Sequence, residues 1–333
     1  MNFTKKLFFA VSVFFLKLCT LFAKENPYAK NYKTFETKDD KAPIVYFIKD
    51  ITPENIVKIY NALGFKASDK NGVKISTGES SHSNHLRPEL IGDIVQKTGG
   101  VIVECNTAYG GSRASNAMHK EVFKERGYDK IARFDLLDED DYMTIPVANG
   151  IQLKEDYVGS HIANYDSFVV LSHFKGHVMA GFGGALKNLS IGFGSGSSTE
   201  KSGKFWIHSA GKSDKKWIAA SQKNFTESMA EAAKAVVDYM NKKDGMAYIN
   251  VMNRLSVDCD CASNPAEPDM HDVGILASLD PVSVDQACID LVWKASDSLN
   301  LINRVESRQG RHILEHASKI GLGSRNYRLV EIK

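Results

Sequence analysis

The chain lacks a charge imbalance: 42 Lys and Arg stand against 40 Asp and Glu, a formal net charge of +2 over 333 residues. A broad electrostatic hold on nucleic acid therefore has no support, and no nucleic-acid partner is expected. Several signatures are also missing. The glycines at Gly181–Gly184 have G-x-G-G spacing and make no dinucleotide fingerprint. Gly211-Lys212-Ser213 is not a P-loop, because the glycine required five residues earlier is Trp206. No G-x-S-x-G nucleophile elbow occurs, and His173 and His177 lack the glutamate of an H-E-x-x-H protease helix. The sequence also holds only five cysteines.

The first 23 residues stand apart. Lys5 and Lys6 precede an apolar run from Leu7 to Leu16, and Ala23 before Lys24 offers a cleavage point. That order reads as a secretory signal peptide, although Leu21 departs from the small-x-small pattern. Lys17 interrupts a stretch already too short to span a bilayer, so no stable span is expected after cleavage. With no lipobox before Cys19 and no twin arginine, the expected route is unfolded export to the periplasm or beyond. Residues 24–42 are polar and lysine-rich, without periodicity, and read as a linker.

From residue 43 onward, strand and helix patterns alternate. Ile44–Ile48, Val73–Ser76, Val101–Cys105, Phe168–Leu171 and Ala247–Met252 read as strands. Thr52-Pro53 and Asp280-Pro281 read as capped helix starts, and Pro88–Lys97, Gly184–Ile191 and Phe225–Lys242 as helices. Gly192–Gly203, rich in glycine and serine, reads as a mobile loop. The order predicts an α/β fold, a mainly parallel sheet with helices on both faces. One domain over 43–333 is expected, with room for two lobes at about 43–150 and 151–333. In such sheets ligands bind beyond the carboxyl ends of the strands.

That rule directs attention to His173-Phe174-Lys175-Gly176-His177 and the following Gly181–Asn188, which leave a predicted strand end. His173 and His177 are candidates for proton transfer or metal ligation, or form a polar turn bonded to backbone. Gly183, Gly184 and Asn188 can expose backbone N–H groups at a helix start as an anion seat, with Lys187 adding charge, or form a tight helix–sheet packing turn. Lys74, Glu79, His82 and His85 gather at a second strand-to-loop transition, suited to a base, a ligand or a substrate clamp. Asp258-Cys259-Asp260-Cys261 puts two soft and two hard ligands on one loop, with His208 a further candidate. A disulfide within C-x-C is strained, which favours ligation, but metal ligation, a disulfide or redox role, and structural or free thiols all remain open there. Cys105 and Cys288 read as buried core residues.

These segments resemble the DUF362 family. The resemblance is carried by Lys74–Glu79, Leu171–His177, Gly183–Asn188, Cys259-Asp260-Cys261, Asp272–Ser278, Asp280-Pro281-Val282, Asp285-Gln286-Ala287 and Gly321–Ser324, over roughly residues 42–333. Members are often labelled iron–sulfur proteins, and many carry an inserted ferredoxin-like module. Here Trp206–Phe225 contains no cysteine where that module would sit, so a four-cysteine cluster is not expected. A cluster made in the cytoplasm would not survive unfolded export, which favours zinc. The expectation is an exported protein with a metal- or anion-binding site, redox-active if iron–sulfur. The alternatives are a non-catalytic solute- or metal-binding protein and a zinc-dependent enzyme acting on a small anion.

Overall fold

The structure is a computed structural model and describes residues 26–333. The expected signal peptide lies outside these residues. Among the described residues no helix is long and apolar enough to cross a membrane.

Among the described residues there are twelve strands: β1 (Ile44–Ile48), β2 (Asn71–Lys74), β3 (Val101–Glu104), β4 (Phe134–Leu136), β5 (Tyr142–Pro146), β6 (Glu155–Gly159), β7 (Ser167–His173), β8 (Lys175–His177), β9 (Gly181–Gly183), β10 (Gly245–Met252), β11 (Gly274–Ser278) and β12 (Arg328–Glu331). The helices are α1 (Pro53–Ala62), α2 (Pro88–Lys97), α3 (Asn116–Glu125), α4 (Ala185–Phe193), α5 (Gly203–His208), α6 (Gln222–Met240), α7 (Pro281–Lys294), α8 (Leu299–Ser307) and α9 (His312–Lys319).

Eight strands form one sheet in the order β12-β1-β11-β10-β7-β2-β3-β4. Every pairing is parallel except the two made by β11. Strands from both halves of the chain thus share a single sheet. Side chains of β7 alternate between two cores: Val169 and Leu171 join one cluster with Ile56, Ile91 and Ile94, while Phe168 and Val170 face Met229 and Leu189. The expected α/β class, with both faces covered, is the observed one.

Both predicted caps form. Thr52 Oγ1 accepts from Asn55 N at 3.2 Å, and Asp280 Oδ1 accepts from Val282 N and Ser283 N at 2.9 Å each. Two segments are more tied down than their composition indicates. Residues 26–42 lie along α7: Asn26 Nδ2 donates to the carbonyls of Trp293 and Ala295, and Phe35 N donates to Asp290 Oδ2 at 2.7 Å. In the glycine- and serine-rich loop, Ser195 Oγ donates to Lys201 O and accepts from Gly203 N, so hydroxyls replace the missing hydrophobic anchors.

The order of the central strands positions the site. From β2 the chain continues outward through β3 and β4, whereas β7 and then β10 lie on the other side of β2. The boundary between β2 and β7 is therefore a topological switch point, where the connections diverge and leave a crevice above the carboxyl ends. Lys74 ends β2 and His173 ends β7.

Candidate functional site

A cavity of about 290 Å³ opens at that crevice. Its lining includes five cationic side chains, Lys74, Arg113, Lys175, Lys187 and Lys204, against two carboxylates, Glu104 and Asp260. His173, His177, His208, Cys259, Cys261, Gly183, Gly184 and Asn188 also line it. The structure thus brings together most of the candidates, with four exceptions. Asp258 is turned to Arg304, and His85 is buried beside Gly78 with its Nε2 2.7 Å from Arg87 NH1. Glu79 lies behind the wall, accepting from Arg113 Nε at 3.2 Å, and His82 is exposed on the loop outside.

One wall is closed by internal pairing. His173 is at the end of a strand and His177 in the following hairpin strand, so no helix face carries them. His173 Nδ1 faces Asp260 Oδ1 at 2.9 Å and its Nε2 faces Asn253 O at 2.6 Å. Lys175 Nζ is 2.8 Å from Asp260 Oδ2 and donates to His173 O at 2.7 Å. Burial works to raise the Asp260 pKa, but the Lys175 ammonium and His173 hold its carboxyl well below the usual carboxylate range. Both nitrogens of His173 are engaged by Asp260 and Asn253 O, so it anchors the Cys259–Cys261 loop and has no nitrogen free for a metal or a substrate. The hard ligands expected from that loop are spent in the same way: Asp260 on His173 and Lys175, and Asp258 on Arg304 NH1 at 3.0 Å. Gly176 permits the packing, because a Cβ there would lie 2.2 Å from Val257 O.

Cys259 and Cys261 are joined as a disulfide, and with His177 they form a group whose ligand atoms all lie within 4.8 Å of one another. That group could hold a metal ion, and its chemistry suits a soft one once the sulfurs are reduced. As it stands the fit is poor, because the sulfurs are bonded to each other. His177 Nδ1 accepts from Met179 N at 3.2 Å and Ala180 N at 2.8 Å. Burial, then the Lys187 charge, push the His177 pKa well down, so the ring is neutral and carries its proton on Nε2. Ligation through either nitrogen would require a lost proton or lost backbone bonds. His208 lines the cavity but is not part of this group; its Nδ1 faces Lys204 O at 2.6 Å, and burial pushes its pKa down to about 4. Cys105 Sγ donates to Phe193 O and Cys288 is buried, so no four-cysteine cluster assembles among the described residues.

The expected anion seat is already filled. The N–H groups of Ala185 and Leu186, which open α4, donate to Asp285 Oδ1 and Oδ2 at 2.8 and 2.9 Å. A Cβ on Gly184 would lie 2.3 Å from Asp285 Oδ1. Gly183 and Gly184 therefore serve close packing and an internal cap, not an external anion.

The opposite wall is open. Lys74 Nζ donates to Ile75 O at 2.8 Å and to Asn188 Oδ1 at 2.9 Å, and burial pushes its pKa down to about 8. Asn188 Nδ2 in turn donates to Ser172 Oγ at 3.1 Å. The Lys187 ammonium, by contrast, makes no hydrogen bond or ion pair with any described residue. Burial and the neighbouring Lys175 ammonium push its pKa down to about 7. Room for both lysines comes from Gly183, whose absent Cβ would lie 3.2 Å from Lys187 Cδ and 3.6 Å from Lys175 Cε.

Sequence reasoning missed Glu104, Arg113 and Lys204. Burial works to raise the Glu104 pKa, and His119, Arg113 and Lys74 outweigh it, holding the carboxyl down at about 2. A charged residue closing the apolar strand Val101–Glu104 was the available signal. Arg113, in the loop after that strand, carries none.

Fold and site together define an α/β protein with a cationic cavity at the switch point of a mainly parallel sheet. A sequence model described as "Domain of unknown function (DUF362)" matches residues 72–290. The chain belongs to the DUF362 family. No curated protein matches it. Among solved structures it is similar to a Thermotoga maritima protein, a Northeast Structural Genomics Consortium target, at 9% identity and a TM-score of 0.42, covering 81% of this chain and 60% of that one. It is also similar to the lactate racemase apoprotein of Thermoanaerobacterium thermosaccharolyticum, at 17% identity and a TM-score of 0.37, covering 68% of this chain and 55% of that one. The chain thus spans less than two thirds of either length.

Proposed function

We propose that this protein is exported and holds a small organic anion in the cavity above β2 and β7. The observation that carries the reading is Lys187, an amine without a counter-ion in a lining where cations outnumber carboxylates. An uncompensated cationic excess in a cavity of this size is offset most directly by a ligand carboxylate or phosphate. The basic-then-apolar pattern at Lys5–Leu16 supports export, and the bonded Cys259–Cys261 pair suits an oxidising compartment.

Calorimetric titration of the full chain with propionate and inorganic phosphate at about pH 6 tests this. Saturable binding is expected, weakened in Lys187→Met by about 1.5–3 kcal/mol, or roughly ten- to hundredfold in Kd. Absence of binding by either anion would overturn the reading.

A second reading, a soft-metal site, is favoured by the proximity of His177, Cys259 and Cys261. One equivalent of zinc taken up after reduction, and none by the oxidised protein or by Cys259→Ser/Cys261→Ser, would support it.

A further inference from the structure

Of the four cavity lysines, Lys204 donates to Gly194 O, and the donor inventory of the other three sharpens the ligand class. An ammonium has three N–H donors. Lys74 spends two, on Ile75 O and Asn188 Oδ1, while Lys175 donates to His173 O and is ion-paired with Asp260 Oδ2 at 2.8 Å. Each keeps at least one donor for a ligand. Lys187 spends none, and it sits beside Lys175 over the gap left by Gly183. The cavity therefore presents one uncommitted amine flanked by two cations that each hold a donor in reserve. A lysine without a counter-ion, kept next to another fixed cation in a desolvated site, is the arrangement that makes an amine a nucleophile toward carbonyl carbon. The flanking donors suit a carboxylate next to that carbonyl.

We propose that Lys187 captures a 2-oxo acid covalently, forming an imine between its Nζ and the ligand's carbonyl carbon. The inference rests on the anion reading above and adds the carbonyl to it. In the step, the amine lone pair adds to the carbonyl carbon, and the resulting carbinolamine loses its oxygen. The C=N bond forms, the C–O bonds break, and the two amine hydrogens leave with the oxygen as water. No oxidant, reductant or further reactant is needed. Lys175 keeps its contact with Asp260 throughout, and its spare donor, with that of Lys74, holds the carboxylate.

The test uses pyruvate as probe and propionate as the anion without a carbonyl, each incubated with the full chain and then treated with sodium borohydride. Intact mass and peptide mapping are read out. One reduced adduct per chain is expected with pyruvate and none with propionate. It should map to the peptide holding Lys187 and disappear in Lys187→Met. Mapping in the wild-type chain places the label independently of how that variant folds. Two outcomes would overturn the imine while leaving the anion reading intact: pyruvate bound by calorimetry with no trapped adduct, or an adduct spread over surface lysines. Failure of pyruvate, propionate and phosphate all to bind would remove both.

Discussion

Lys175 and Lys187 stand on either side of Gly183, yet they belong to opposite kinds of wall. Lys175 is locked between Asp260 and a backbone carbonyl, and with His173 it fixes the Cys259–Cys261 loop over the cavity. Lys187 has the same chemistry and no partner. The difference teaches that charge in this cavity is not uniformly available. The His173–Lys175–Asp260 side is scaffold, completed by its own residues, and the Lys187 side is the part left for something from outside. The run that is densest in titratable groups is thus the less reactive of the two.

Removing the keystone of the closed wall should have the largest effect. Asp260→Asn leaves Lys175 and His173 without their counter-ion, and breaking a buried pair in this way costs about 3–5 kcal/mol. Denaturant unfolding should show that loss, whereas Lys187→Met should stay within about 1 kcal/mol of wild type. The comparison also has a pH signature. Asp260 is an acid whose folded pKa lies below its ordinary value of 3.8. Its stabilising contribution is therefore complete above that value and is lost as pH falls below it, toward the folded pKa. Wild-type stability should fall there, and this part of the fall should be missing in Asp260→Asn. Equal destabilisation by the Asp260 and Lys187 variants would erase the distinction between the walls.

A smaller effect is expected at Gly176, which lets the loop pass close over the hairpin. A Cβ 2.2 Å from Val257 O forces backbone apart, so Gly176→Ala should destabilise by about 1–3 kcal/mol in thermal unfolding. A neutral result would mean that the loop is free to move away from β8.

Much of the scaffold was legible because it follows local rules. The cap-plus-proline starts at Thr52 and Asp280 and the apolar runs of β3, β7 and β10 gave the alternation, and the alternation gave the sheet. Strand ends then located the site. Its internal bookkeeping was not legible, because it depends on contacts distant in sequence. Asp285 meets the start of α4 from about a hundred residues away, and Asp260 reaches His173 across 87. Periodicity carries no trace of such pairs. The choice between anion seat and packing turn at the glycine-rich helix start, and between ligand and polar turn at the two histidines, therefore stayed open, and two aspartates read as free ligands. The short strands β8 and β9 escaped for a related reason: three residues each, with glycines, give no period to detect.

The central claim is that Lys187 is a buried amine reserved for a ligand, and its titration tests this most directly. Propionate affinity should be measured by calorimetry across a pH series, in parallel with the yield of borohydride-trapped pyruvate. Lys187 is charged below its value of about 7 and neutral above it, and Lys74 follows at about 8. Propionate affinity should therefore fall as pH rises through 7 to 8, while the trapped imine, which needs the free amine, rises over the same interval. A propionate affinity that stays level until the ordinary lysine value of 10.5 would contradict the account.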